Sequence, residues 1–227
     1  MGVGGMGSAV GVLSGEINQG AIKQYLMKHW PSGPLAIEEF TALNAGWETE
    51  IYAFKLVGSG REPFEKSLVL RVYPGPQKAA TARQEFELMR VLGNTGFPVP
   101  KVYLVNTTGE YLPKPSILMD RIIGPTLQEK LLVSASPGLL LDGFCRFFAR
   151  LHAWDWRPHI KRLGHMVCKD QASSFKRNME RRKAQLGRPF ARAYDWMISG
   201  SSTVKWGEPC LNHGDFHPGN ILIAKDN

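Results

Sequence analysis

Leu211-Asn212-His213-Gly214-Asp215-Phe216-His217-Pro218-Gly219-Asn220-Ile221-Leu222-Ile223 is the stretch that decides how the rest of the chain is read. His213, Asp215 and Asn220 stand in an H-x-D-x-x-x-x-N spacing. A loop of four residues containing Pro218 and Gly219 can curl so that a carboxylate and a neutral amide oxygen point the same way. Those are the group types that a proton transfer and a hard divalent cation call for. The spacing alone leaves a plainer reading open, because Asp, Asn, Gly and Pro are also the common residues of turns. The apolar Ile221-Leu222-Ile223 is expected to be a strand that anchors the loop.

Upstream, the first fifteen residues (1–15) are rich in glycine without periodicity and read as a mobile tail. Gly2, Gly4 and Gly7 have G-x-G-x-x-G spacing, but no strand precedes them, so the dinucleotide reading is discarded. A helix is expected over Ile17 to His29, with Ile22, Tyr25 and Leu26 on one face and Pro31 closing it. Strands follow at Phe40 to Leu43, Glu50 to Leu56 and Leu68 to Tyr73, the last stopped by Pro74-Gly75-Pro76. A helix from about Gln77 to Leu92 ends at Gly93, an entry turn followed by a strand is expected over Pro98 to Val105, and a further strand over Ser116 to Ile122. Beyond Gly124-Pro125 the pattern turns helical, over Leu139 to Trp154, Gln171 to Leu186 and Arg188 to Ile198. A β-rich half followed by an α-rich half makes the fold class α+β with two lobes.

At 227 residues the chain has room for one large domain or two small ones. No run of about 18 apolar residues and no signal peptide is present, so a cytoplasmic protein that does not enter membranes is expected. Cys145, Cys168 and Cys210 lack C-x-x-C spacing and are read as free, buried thiols. The net charge is +8, and residues 138–227 alone carry 15 basic and 8 acidic side chains. The densest run, Lys176 to Lys183, is read as a solvated helix face in preference to a nucleic-acid patch, since no zinc-finger or aromatic RNP segment accompanies it. A positive balance welcomes a phosphate, carboxylate or nucleotide and repels a polycation.

The string H-G-D-F-H-P-G-N-I-L, His213 to Leu222, resembles the catalytic loop of the aminoglycoside phosphotransferase and choline kinase-like family. That family shares the bilobal protein-kinase-like fold, in which the loop Asp takes the proton of an attacking hydroxyl and the loop Asn holds magnesium. The resemblance implies an ATP-dependent phosphotransferase acting on a small-molecule hydroxyl, with ATP and Mg²⁺ as cofactors, Asp215 catalytic and Asn220 a metal ligand. It also implies lobes at 16–119 and 125–227 joined by a hinge at 120–124.

Other segments carry the same resemblance in order. Strand alternation sets Arg71 opposite the Leu68, Leu70 and Val72 face, where the family has an L-R motif contacting phosphates. Glu85 shares a helix face with Leu88, Met89 and Leu92 and needs a partner, because an unpaired carboxylate on an apolar stripe is costly. Gln84-Glu85-Phe86 resembles the family's R-E-Y helix motif, which makes Arg71 that partner. Gly46, within Asn44 to Glu50, stands where the family has its phosphate-covering turn. Leu118 to Gly124 resembles its M-E-x-x-x-G hinge, whose backbone, at Asp120 and Ile122, would meet an adenine edge. His152, in a segment resembling L-A-x-L-H, and His213 are read as structural.

The family's second metal-binding aspartate follows a short hairpin, and Ala224 to Asn227 resembles that hairpin's turn. The chain therefore resembles the first two thirds of a member, either a fragment or a shortened protein. The alternative function is a non-catalytic nucleotide-binding remnant, and a basic nucleic-acid-binding protein is a third reading resting on charge alone.

Overall fold

The computed structural model describes residues 17–31, 34–43, 49–58, 63–168 and 170–224. By its contacts the chain divides into two compact units, Met1–Pro125 with Leu222–Asn227, and Thr126–Ile221.

The first unit is built on an antiparallel sheet of β1 (Leu35–Leu43), β2 (Glu50–Gly58), β3 (Lys66–Val72), β4 (Val102–Asn106) and β5 (Ser116–Asp120), ordered β1-β2-β3-β5-β4. Helix α1 (Gln19–His29) is N-capped by the Asn18 side chain, which accepts from the Ala21 N–H at 3.0 Å. Its Ile22, Tyr25 and Leu26 are buried against Phe54, Leu56, Leu68, Leu70, Val72 and Leu118 on one face of the sheet. Helix α2 (Ala79–Asn94) covers the other face, burying Ala82 and Phe86 with Tyr73, Ile117 and Met119. In β3 the buried positions alternate strictly, Leu68, Leu70 and Val72 on the α1 side with Val69 and Arg71 between them, so the period of two seen in the sequence fixes which way Arg71 points.

The second unit is helical, with α3 (Leu127–Val133), α4 (Pro137–His152), the short α5 (Ile160–Leu163), α6 (Gln171–Leu186) and α7 (Ala191–Gly200). Helix α3 is not among the expected elements, although Thr126 and Glu129 form a capping box at its start and the T-x-x-E pattern is visible in the sequence. The basic run lies on α6, where Lys176, Arg177, Arg181 and Arg182 are exposed. Among the described residues no helix is long and apolar enough to cross a membrane.

Three expectations are corrected. Strand β1 begins at Leu35, five residues before Phe40, and contains a bulge between Glu38 and Thr41 with Glu39 at φ 53°, which interrupts the alternation the sequence reading relied on. Ile221 to Ile223 is an isolated bridge in place of a strand, held where Leu127 N–H bonds the Ile221 carbonyl at 2.8 Å and Ile223 N–H bonds the Pro125 carbonyl at 2.9 Å. Cys145, Cys168 and Cys210 are free but exposed, not buried. Cys145 sits on the α4 face that also presents Asp142 and Arg146, which pair with each other at 2.7 Å.

Gly124 is required by close approach. A Cβ there would run into the Ile223 carbonyl, whose own N–H is bonded to Pro125. Gly124→Ala is therefore expected to destabilise the first unit by about 3 kcal/mol, the upper end of the usual cost of forcing extra atoms into a packed site. Urea unfolding beside the wild type measures it, and an unchanged midpoint would contradict this account of the glycine.

Candidate active site

In the first unit, Arg71 and Glu85 are brought together. Arg71 Nη1 lies 3.2 Å from Glu85 Oε2, with both side chains about a third exposed at 36%. The pairing follows from position: β3 presents Arg71 on the α2 side of the sheet, and α2 presents Glu85 toward the sheet, one residue before the buried Phe86. The pair has a third member that the sequence does not reveal. Tyr73, two residues along the same strand direction and only 3% exposed, donates its hydroxyl to Glu85 Oε2. The Arg71 guanidinium also lies over the Tyr73 ring, 5.3 Å from its centroid. Burial first, and then the hydrogen bond to Glu85, push the Tyr73 phenol well above its ordinary pKa, so it remains a donor.

Strand register gives Arg71 an apolar neighbourhood. Ile51, Arg71 and Ile117 are cross-strand partners, as are Ala53, Val69 and Met119, so all six share one face. Ala53 is fully buried, while Ile51 and Val69 are half-buried.

Asp120 and Ile122 end this sheet. The Asp120 side chain is directed to the opposite face, where its Oδ1 accepts from the Tyr103 hydroxyl at 2.7 Å. Its register partner Leu68 is buried on that face too. Asp120 N–H is bonded to the Lys101 carbonyl at 2.9 Å and Arg121 N–H to the Ser67 carbonyl at 3.0 Å. The ladder stops there, and Ile122 makes no backbone hydrogen bond among the described residues. Gly46 lies outside the described residues. Just beyond it, Glu50 is ion-paired with Lys114 and accepts from the Tyr52 hydroxyl at 2.9 Å. The Lys114 contact, with Tyr52 adding to it, holds the Glu50 carboxyl below its usual range.

In the second unit, the loop brings Asp215 and Asn220 together. Asn220 Nδ2 donates to the Asp215 carbonyl and to Asp215 Oδ2, both at 2.9 Å. Gly214 takes φ +81°, the left-handed region that glycine enters without strain, and its N–H is bonded to Asn212 Oδ1 at 2.9 Å. The glycine of H-G-D is thus needed to turn the chain before the carboxylate. Asp215 itself is 77% exposed at its side chain, so its second oxygen is reachable by a ligand.

Two further residues of this loop acquire positions the sequence did not reveal. Phe216 packs among Phe144, Phe147 and Phe148 of α4, with ring centroids 4.8, 5.8 and 4.8 Å away, and His213 meets it edge-on at 5.7 Å. The i, i+3, i+4 aromatics of α4 were the available signal. His217 Nδ1 accepts from the Gly219 N–H at 3.1 Å, which puts the proton of a neutral ring on Nε2, 3.7 Å from Asp215 Oδ2. Among the described residues His152 Nε2 is buried without a hydrogen-bond partner, and its ring lies on Phe148 at 4.1 Å.

Residues 39–227 match the model of the Phosphotransferase enzyme family. The chain belongs to that family. Among solved structures, a Ralstonia eutropha protein assigned as an aminoglycoside phosphotransferase is 21% identical with a TM-score of 0.64, over 93% of this chain and 62% of that one. The gentamicin complex of aminoglycoside phosphotransferase APH(2'')-IIa is 19% identical with a TM-score of 0.61, over 92% and 67%. Type I macrolide 2'-phosphotransferase is 15% identical with a TM-score of 0.56, over 91% and 68%. These likenesses show the fold, α+β and protein-kinase-like. Acyl-CoA dehydrogenase family member 11 of Rattus norvegicus is 25% identical over 215 residues, which are 89% of this chain and 27% of that protein. The chain thus spans less than two thirds of the length of the Ralstonia protein and about a quarter of that of the rat protein.

Proposed function

We propose that the protein carrying this chain transfers the γ-phosphoryl group of ATP to a hydroxyl of a small molecule. The observation that carries the reading is the Asp215–Asn220 pair. One exposed carboxylate and one amide are locked in register by two hydrogen bonds from Asn220 Nδ2. Asp215 is the group that aligns the acceptor hydroxyl and takes its proton as the oxygen–phosphorus bond forms.

The loop offers a divalent cation one ligand. Both bonds from Asn220 Nδ2 go to Asp215, and Asn220 Oδ1 accepts none among the described residues, which leaves a neutral hard oxygen of the kind magnesium takes beside phosphates and water. When bound, the ion would offset the charge of the terminal phosphates. Asn220 is the residue of this chain that would hold it.

Arg71 is the cation for the nucleotide phosphates and Glu85 its orienter. An arginine fork presents two parallel donors to a phosphate, so its contact is more directional than a lysine's. The half-buried Ile51 and Val69 beside Arg71 are the floor for a base. The backbone of Ile122 and the Asp120 carbonyl are the edge that an adenine would meet, and the Asp120 side chain, held by Tyr103, takes no part. Gly46 belongs to the turn that would cover the phosphates.

The acceptor is a neutral or anionic small molecule, not a polycation. Residues 138–227 hold an excess of seven positive charges. Of their acids, Asp142, Asp155, Asp195 and Glu208 are already ion-paired within the second unit, which leaves few carboxylates to capture an aminoglycoside.

Calorimetric titration of the intact protein with ATP, with and without magnesium, tests the nucleotide half of this reading. A saturable heat that strengthens with magnesium is expected. A folded sample with no saturable heat would overturn it.

A further inference from the structure

Tyr73 is a buried phenol in a position that packing alone does not explain. A phenylalanine would fill the same space among Ala82, Phe86, Ile117 and Met119, and would leave no hydroxyl to satisfy. The tyrosine instead delivers its one donor to Glu85 Oε2, the oxygen that also faces Arg71 Nη1 at 3.2 Å. Its ring then lies beneath the Arg71 guanidinium at 5.3 Å. Its backbone is fixed as well: Tyr73 N–H bonds the Pro115 carbonyl at 2.9 Å and its carbonyl accepts from Gly75 N–H at 2.8 Å, where the chain turns from β3 toward α2.

The consequence is geometric. Arg71 and Glu85 are each about a third exposed, and an exposed ion pair of two long side chains holds its geometry poorly. A buried hydroxyl on a fixed backbone removes that freedom from the carboxylate, and the ring beneath the guanidinium removes it from the arginine. We propose that Tyr73 is a positioning residue for nucleotide phosphates, acting through Glu85 and Arg71 to hold the guanidinium in one orientation. This rests on the reading of Arg71 as the phosphate cation.

The test compares the affinity of the intact wild type, Tyr73→Phe, Glu85→Gln, the double variant and Arg71→Ala for ATP and for adenosine, with thermal midpoints recorded alongside. Tyr73→Phe keeps the ring and removes only the hydroxyl. It is expected to weaken ATP binding about tenfold, the low end of what the outer partners of a ligating side chain contribute at metal sites, and to leave adenosine binding within about twofold. Glu85→Gln is expected to give the same phosphate-selective loss, and Tyr73→Phe should add little in the Glu85→Gln background, since both act on one carboxylate.

Unchanged ATP affinity in Tyr73→Phe, with Arg71→Ala strongly impaired, would overturn the proposal and leave the phosphate role of Arg71 standing. Equal losses for ATP and adenosine that track a fall in thermal midpoint would assign Tyr73 to packing and overturn it too. Full ATP affinity in Arg71→Ala would instead refute the reading of Arg71, and the proposal with it. If Tyr73→Phe does not fold, Glu85→Gln decides: no phosphate-selective loss there overturns the proposal.

Discussion

Asp215→Asn is expected to slow phosphoryl transfer by about 10²–10⁴-fold, the usual contribution of a positioned general base, with ATP affinity close to that of the wild type. The substitution keeps an oxygen where Asn220 Nδ2 donates at 2.9 Å, so the loop retains its shape. Phe216 remains held by the three α4 aromatics, and Gly214 still makes the left-handed turn. What disappears is the ability to take a proton. Single-turnover kinetics at saturating ATP separate this from a binding defect, and a variant that loses nucleotide affinity in step with rate would show that Asp215 serves another purpose.

Asn220→Ala is expected to be at least as damaging in a different way, with a loss of about 10²-fold or more, beyond what outer-shell partners alone cost at metal sites. Two effects combine. The neutral oxygen that would hold magnesium is gone, and Asp215 loses both the donor to its carboxylate and the donor to its carbonyl. The defect should therefore appear in magnesium-dependent nucleotide binding as well as in turnover, and raising magnesium should recover part of it. Titration of activity against magnesium concentration distinguishes the variants: the Asp215→Asn curve should keep the wild-type midpoint and the Asn220→Ala curve should shift to higher concentration. Coincident midpoints would contradict the assignment of Asn220.

The sequence disclosed most where the chemistry is local or strictly periodic. The period of two in β3 placed Arg71 opposite Leu68, Leu70 and Val72, and the helical period of α2 set Glu85 toward the sheet; their pairing at 3.2 Å follows from both. The Asp215–Asn220 pair was legible because only four residues separate its members. What escaped notice depends on contacts between distant segments or on ambiguous residue types. Tyr73 looks like the last apolar residue of a strand, and only the fold shows that its hydroxyl reaches a carboxylate twelve residues on. The bulge at Glu39 hid the first half of β1, since an inserted residue breaks the alternation by which a strand is recognised. Thiols are commonly buried, but the helical register of Cys145 with Asp142 and Arg146 sets it outward. Gly124 read as a strand breaker; the close approach of the Ile223 carbonyl gives it a second, stricter reason.

The most direct test follows the γ-phosphoryl group itself. The intact protein is incubated with magnesium and ATP labelled in the γ-phosphoryl group, together with a set of neutral and anionic small hydroxy compounds and, separately, aminoglycosides, and the products are resolved by mass. The account predicts label on the hydroxyl of at least one neutral or anionic compound, little on the aminoglycosides, and none above background with Asp215→Asn. Label passing at the same rate with Asp215→Asn, or a protein that binds ATP yet passes label to none of the compounds, would contradict it.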